Sequence, residues 1–412
     1  MANNSSLTTG GTMNRRRILR TGAAGFGILA APAILRPAFA ASDLPIGWVL
    51  PLTGSLASTY SHLYRPGEIA INEINASGGV LGRKLVAVKV DDEGSPAKQP
   101  VVIRELIDKG INVVVGPTGS SQAMSALEVT TPASIIQCCY ASADEVGDGK
   151  RYPYHYQINF GAVPQAVRHV DTLQALGKKN IGVLVDDTAA GDSTRQAVVA
   201  ELKKRGFNIV SEQVFPTKTT DMTPFLRKLR ADGAEAIDNH ISTNGDATQF
   251  FVGLSRIGWK PPTVGHTGLL YAGLPGAVPE ESRYEEVYAA TYKALTYTDK
   301  DMISDKVKKF AKALSDAGTP DALLPVAATS PFYDFVYLLK AVAEKVGAAD
   351  SKSLKAGLDS FSGEGFFGRI SFTPERHQGY GADVLAMAVV NSTNEPISKE
   401  SKGLYRRRGP GA

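Results

Sequence analysis

The chain has 412 residues, of which 43% are hydrophobic and 21% charged, with a formal net charge of +4. This composition excludes a disordered or fibrous chain, and the length suffices for two domains that each have a core. Residues 1–40 hold five arginines and no acid, so removing them takes the formal charge from +4 to −1 and a nucleic-acid partner loses its support.

Residues 1–40 read as an export signal. Arg15-Arg16-Arg17-Ile18-Leu19-Arg20 is a basic opening, Thr21 to Leu35 is an apolar run too short to span a membrane, and Ala38-Phe39-Ala40 is a small-x-small cleavage site. The paired arginines ahead of Ile18-Leu19-Arg20 point to the twin-arginine type, with an ordinary secretory signal as the alternative. Either route predicts a periplasmic protein cleaved near Ala40.

Strand and helix signals alternate from there. LPIGWVL at 44–50 reads as a strand, and Arg65–Asn75 carries Ile69, Ala70 and Ile74 on one helical face. Ser77-Gly78-Gly79 ends that helix. A strand follows over 84–90, a helix over 100–109 and a buried strand over 111–115. A helix around 124–131 and a strand over 134–140 complete the first series. The pattern then restarts, with helices over 164–176, 193–205, 222–231 and 249–257 between strands over 180–185, 208–215 and 234–241. Later helices fall at 305–317 and 333–346, and a last strand at 385–391. Two β/α series with buried strands predict an α/β protein of two doubly wound lobes with parallel sheets.

Enzyme machinery is hard to find. The loop Gly116-Pro117-Thr118-Gly119-Ser120-Ser121 lacks the lysine a nucleotide-binding P-loop needs, and no G-x-G-x-x-G or G-x-S-x-G is present where one would act. The six histidines (62, 155, 169, 240, 266, 377) form no H-x-x-x-H pair. Cys138 and Cys139 read as two buried thiols and supply no zinc motif. Asp91-Asp92 and Asp186-Asp187 follow strands and read as turn caps. No metal or cofactor is expected. What remains is a pair of polar loops at strand ends. Thr118, Ser120 and Ser121 offer hydroxyls at a helix N-terminus, which suits a carboxylate, and Ala141-Ser142 follows the next strand.

Together these residues resemble the leucine/isoleucine/valine-binding family of ABC-transporter solute receptors. The resemblance runs from about Asp43 to Asn391. It rests on Pro51-Leu52-Thr53-Gly54, on INEINASGGVLG at 71–82, on Asp91-Asp92 and on Gly116–Ser121. It implies two lobes joined by three crossings, placed near 157–161, 288–297 and 366–373, with solute caught in the cleft. Lobe 1 would then comprise 41–158 and 293–367, lobe 2 159–292 and 368–395, and a solvated tail 396–412. The resemblance also implies a monomer that passes solute to membrane permease subunits and does no chemistry on it.

By the same resemblance, Ser120 and Ser142 hold the ligand carboxylate, with Ala141 beside them, and Tyr333 reaches the pocket. The second lobe departs. Family aromatics fall on Ala190 and Asn244, and the acid that pairs with a ligand ammonium falls on Thr267. Asp187 and Asp246 are the acids nearest to replacing it. The positions of the family disulfide are Gly94 and Gly119. Small residues in place of rings imply a roomier pocket. A missing acid argues against an α-amino acid, because a buried ammonium needs a partner charge. The expected solute is therefore an aromatic or aliphatic acid, with Tyr60 (or Thr59), His240 and His266 at its far end. The alternatives are a ligand-sensing module of the same fold without a permease, and an exported enzyme.

Overall fold

Apolar residues on both faces of the strands dictate the layering. In β1 (Leu44–Leu50), Trp48 and Leu50 face one core and Val49 the opposite one. In β5 (Asn180–Asp186), Leu184 faces one core and Val183 and Val185 the other. Strands buried on both faces need helices on both faces. The computed structural model, which describes residues 43–411, has that arrangement in both halves. The export signal read over 1–40 lies outside the described residues.

The first sheet is parallel, in the order β2 (Leu85–Asp91), β1, β3 (Val113–Thr118), β4 (Ile136–Tyr140). The second contains β6 (Asn208–Phe215), β7 (Ala236–His240), β8 (Thr263–Gly265), β9 (Val287–Tyr292) and β10 (Leu385–Val389). Its order is β10-β9-β8-β7-β5-β6, and it is parallel except for the β10–β9 pair. The 288–297 stretch expected as a crossing is thus strand for most of its length, and the chain leaves the sheet after Tyr292.

The chain passes between the sheets three times. Gln157 pairs with Gln378, and Tyr292 with Leu385, so the crossing segments run side by side. The third passage therefore lies around Gln378–Leu385, later than the expected 366–373. That earlier stretch is instead half of a hairpin in which Arg369–Ser371 pairs with Ser362–Glu364.

The C-terminal segment is not a solvated tail. Arg406 is 1% exposed, and its guanidinium donates to the carbonyls of Gly403, Val390 and Leu270, the last at 3.1 Å. Arg406–Arg407 pairs with Thr296–Tyr297, and Arg408 reaches Asp301 at 2.6 Å. Three arginines in a row read as solvated from sequence, but guanidinium donors satisfy buried carbonyls that nothing else reaches.

Candidate functional site: a cleft between the lobes

Both sheets reverse strand order next to their first strand. From β1 the chain moves outward to β2 and then back across to β3, and from β5 it moves to β6 and back to β7. Such a reversal leaves a crevice beyond the carboxyl ends of the strands. The two crevices face each other around a cavity of about 70 Å³. Its walls come from the segments after β1, β3, β4, β5, β7 and β8, joined by Asn159 from the first crossing. A larger groove of about 640 Å³ runs between the Asp305–Asp316 helix and the C-terminal segment, away from every strand end of the cleft. Position at the switch points singles out the smaller cavity.

The first-lobe wall is shaped by an irregularity in β3. Its register with β4 shifts between Val115 and Thr118, and such a bulge re-aims the side chains after it. Gly119 then takes φ +97°, which a β-carbon would oppose, and the Ser120–Thr130 helix starts. The first N–H groups of that helix have no partner within it, and its dipole favours an anion. Ser120 Oγ accepts from the N–H groups of Ser142 (3.2 Å) and Ala143 (3.1 Å), which leaves its own proton to donate. The Thr118 Oγ1 and Asn159 Oδ1 atoms belong to residues lining the same space and are buried without a hydrogen-bond partner among the described residues. The rings of Tyr60 and Tyr140 lie 5.8 Å apart. Their hydroxyls are engaged elsewhere, Tyr60 with the Ser242 carbonyl (2.5 Å) and Tyr140 with Thr329 Oγ1 (2.9 Å). The cavity therefore meets these tyrosines as apolar walls.

In the second lobe the acids are spent on structure. Asp186 is buried and holds the loops after β5 and β7 together, accepting from Ser242 N (2.9 Å), Ser242 Oγ (2.5 Å) and Thr188 Oγ1 (2.5 Å). Burial pushes its pKa up, and these hydrogen bonds pull the other way. Asp187 caps Thr217 N at 2.9 Å, and Asp246 accepts from Thr243 Oγ1 at 2.8 Å and Lys218 N at 3.3 Å. Neither replaces the missing acid. Among the described residues that line the cavity there is no Asp, Glu, Lys or Arg. What faces the first-lobe serines is Thr188, Ala190, Ser242 and two imidazoles. His240 and His266 pack with ring centroids 4.5 Å apart, and burial depresses both pKa values, that of His240 to about 3.

Of the residues singled out from sequence, Tyr60, Thr118, Ser120, Ala141, Ser142, Ala190, His240 and His266 come together here. Thr59 is the neighbour that does not line the cavity; its Oγ1 accepts from Asn244 N across the lobes at 3.4 Å. Ser121 is likewise a closing contact, accepting from Ala189 N at 3.3 Å. Asn244 opens a helix and stays off the cavity, with Ser242 in its place. Thr267 is fully buried one residue beyond the wall, and His266 stands where it was expected. Tyr333 lies outside the cleft altogether. Its helix turns it toward Glu73, to which it donates at 2.7 Å, with Tyr337 doing the same at 2.6 Å. The expected extra room is not seen: the cavity is about 70 Å³, and Tyr60, Tyr140, His240 and His266 line it beside Ala190. Leu56, Gln122, Tyr140, Asn159, Thr188 and Ser242 were missed. Tyr140 and Thr188 directly adjoin flagged residues at strand ends, and that adjacency was the available signal.

The model of one family, described as periplasmic binding protein, matches residues 43–395. The chain belongs to the periplasmic binding protein family. Within it, this binding protein is 28% identical over 264 residues to the Leu/Ile/Val-binding protein homolog 8 of Brucella abortus, covering 62% of this chain and 64% of that one. It is 30% identical over 260 residues to homolog 7 of Brucella suis, covering 60% of this chain and 65% of the relative. The binding protein thus spans just under two thirds of the length of these relatives. Among solved structures it is similar to a solute-binding protein of an ABC transporter from Rhodopseudomonas palustris BisB5 in complex with 3,4-dihydroxybenzoic acid. The TM-score there is 0.71 at 21% identity, covering 84% of this chain and 93% of that one. It is also similar to LivJ from Streptococcus pneumoniae in complex with isoleucine, with a TM-score of 0.68 at 21% identity, covering 84% and 96%. A third likeness is to an R. palustris solute-binding protein in complex with benzoate, with a TM-score of 0.71 at 19% identity, covering 90% and 96%. At these identities the structures speak for the shared fold.

Proposed function

We propose that this protein is the periplasmic receptor of an ABC importer and captures a small monocarboxylate without an α-amine, aromatic or aliphatic, between its lobes. It works as a monomer without a cofactor, performs no chemistry on the solute, and hands it to permease subunits at the membrane. The observation that carries the reading is the polarity of the cavity. The first-lobe wall carries the Ser120 hydroxyl and helix N–H groups, which suit a carboxylate, while the Thr188 and Ser242 hydroxyls on the facing wall are spent on Asp186. Among the described residues, no acid lines the cavity to meet an ammonium. Burying an unpaired ammonium costs several kcal/mol, so an α-amino acid is disfavoured. The tyrosine rings favour a flat, apolar body. Related folds hold a benzoate in one case and isoleucine in another, so the fold accommodates either class.

A thermal-shift screen tests the reading, since a ligand that binds the native state raises its stability. Aromatic and aliphatic carboxylates should give the largest shifts. Leucine, isoleucine or valine giving the largest shift, with simple acids giving none, would overturn it.

A further inference from the structure

His240 and His266 both spend Nδ1 on the framework of their own lobe. His240 Nδ1 lies 3.0 Å from Thr194 Oγ1, and His266 Nδ1 accepts from Gly268 N at 3.2 Å. The rings pack against one another with planes 38° apart, and both line the cavity. No hydrogen bond within the protein engages either Nε2 among the described residues. We propose that this pair reads an uncharged oxygen at the far end of the solute, a hydroxyl in the simplest case. His266 Nε2–H donates to it, and His240 Nε2 accepts its proton. The inference rests on the carboxylate reading above and adds the other end of the ligand.

The assignment follows from protonation state. Both rings are neutral at ordinary pH. Burial lowers the pKa of His266 well below the usual 6.5, and the nearby His240 and His169 add to that effect against a smaller opposing pull from the Ile241 carbonyl. His240 is lowered to about 3 by burial and by His169. Where His266 Nδ1 accepts the Gly268 N–H, its proton sits on Nε2 and faces the cavity as a donor. Thr194 can donate to His240 or accept from it, so His240 presents either a donor or an acceptor.

Three ligand groups can be weighed against that pair. An ammonium offers protons only and leaves the His266 donor unanswered. A second carboxylate would be buried beside neutral rings, with no Lys or Arg among the described residues that line the cavity. A hydroxyl accepts from His266 and donates to His240, which satisfies both.

Isothermal titration with a matched series tests this: benzoate, 3-hydroxybenzoate, 4-hydroxybenzoate, terephthalate and 4-(aminomethyl)benzoate. At least one hydroxylated acid should bind about ten-fold or more tighter than benzoate, because a site built for a hydroxyl penalises its absence. The dianion and the ammonium-bearing acid should be the weakest. In His266→Phe and His240→Phe the ratio of hydroxylated acid to benzoate affinity should collapse to within about two- to three-fold, whatever the change in benzoate affinity itself, and a circular-dichroism melt reports that each variant is folded. Should both variants fail to fold, the wild-type series decides alone. Equal affinity for benzoate and both hydroxybenzoates overturns the inference and leaves the carboxylate reading standing. Tightest binding of the ammonium-bearing acid also overturns it. No binding by any acid, with binding of leucine, overturns both.

Discussion

Ser120 shows how much one side chain does in the cleft. Its oxygen accepts two backbone N–H groups from the loop after β4, so it fixes the second strand end while keeping a proton for the solute. Ser120→Ala should weaken a carboxylate about 10- to 100-fold in a calorimetric titration, the range of a hydrogen bond to a charged group. Unchanged affinity would remove Ser120 from the site. His155 makes a prediction about pH. It is fully buried, with Nδ1 2.7 Å from the Val146 carbonyl and Nε2 accepting from Cys139 N at 3.1 Å, so it braces the strand that leads to Ser142. Burial depresses its pKa from 6.5 to about 4. Between those values the unfolded chain binds a proton that the folded chain refuses, so this group's contribution falls as pH drops below 6.5, by at most about 1.4 kcal/mol per unit. Urea melts of wild type and His155→Gln should show a gap in stability that narrows from pH 7 to pH 5. A gap that stays constant would contradict the assignment.

At the scale of elements, the strands were the most legible part of the sequence. Leu44–Leu50 and Asn208–Phe215 fall on the expected limits, because each is a β-rich run closed by polar or turn residues. The short strand Thr263–Gly265 escaped, since three residues carry no period. The site was legible where a hydroxyl or imidazole sits at the end of a strand, as with Ser120, Ser142 and His240. It was not legible where helix rotation decides direction, and Tyr333 is the clearest case. The C-terminal arginines show another limit, because composition cannot reveal which carbonyls a fold leaves unpaired. Arg406 holds the Leu270 carbonyl in the segment that begins at Thr267, directly after the cleft residue His266. Burial lowers its pKa to about 9, so it remains charged at neutral pH. Arg406→Gln should destabilise the fold by roughly 3 kcal/mol, since several buried carbonyls lose a charged donor. A denaturation midpoint within error of wild type would show that water replaces it.

Across the whole molecule, the lobes meet through hydrogen bonds at the cleft mouth. Tyr60 donates to the Ser242 carbonyl, Asn244 N to Thr59, Ala189 N to Ser121, and Asp144 N to Ser193 Oγ at 3.0 Å. These contacts link the first-lobe wall to the second, so separating the lobes would break them. Tyr60→Phe removes one of them and should cost about 0.5–1.5 kcal/mol of affinity, most of it as faster release. Stopped-flow dissociation reads that directly, and an unchanged rate would mean that closure does not depend on this contact. In the proposed function the cleft takes a carboxylate and has no place for an α-amine. Calorimetric titration of 4-methylpentanoate against leucine isolates that difference, because the two acids differ only in the amine. 4-Methylpentanoate should bind and leucine should bind at least about 100-fold more weakly, as an unpaired buried charge requires. Leucine binding as tightly as the deaminated acid, or more so, would contradict it.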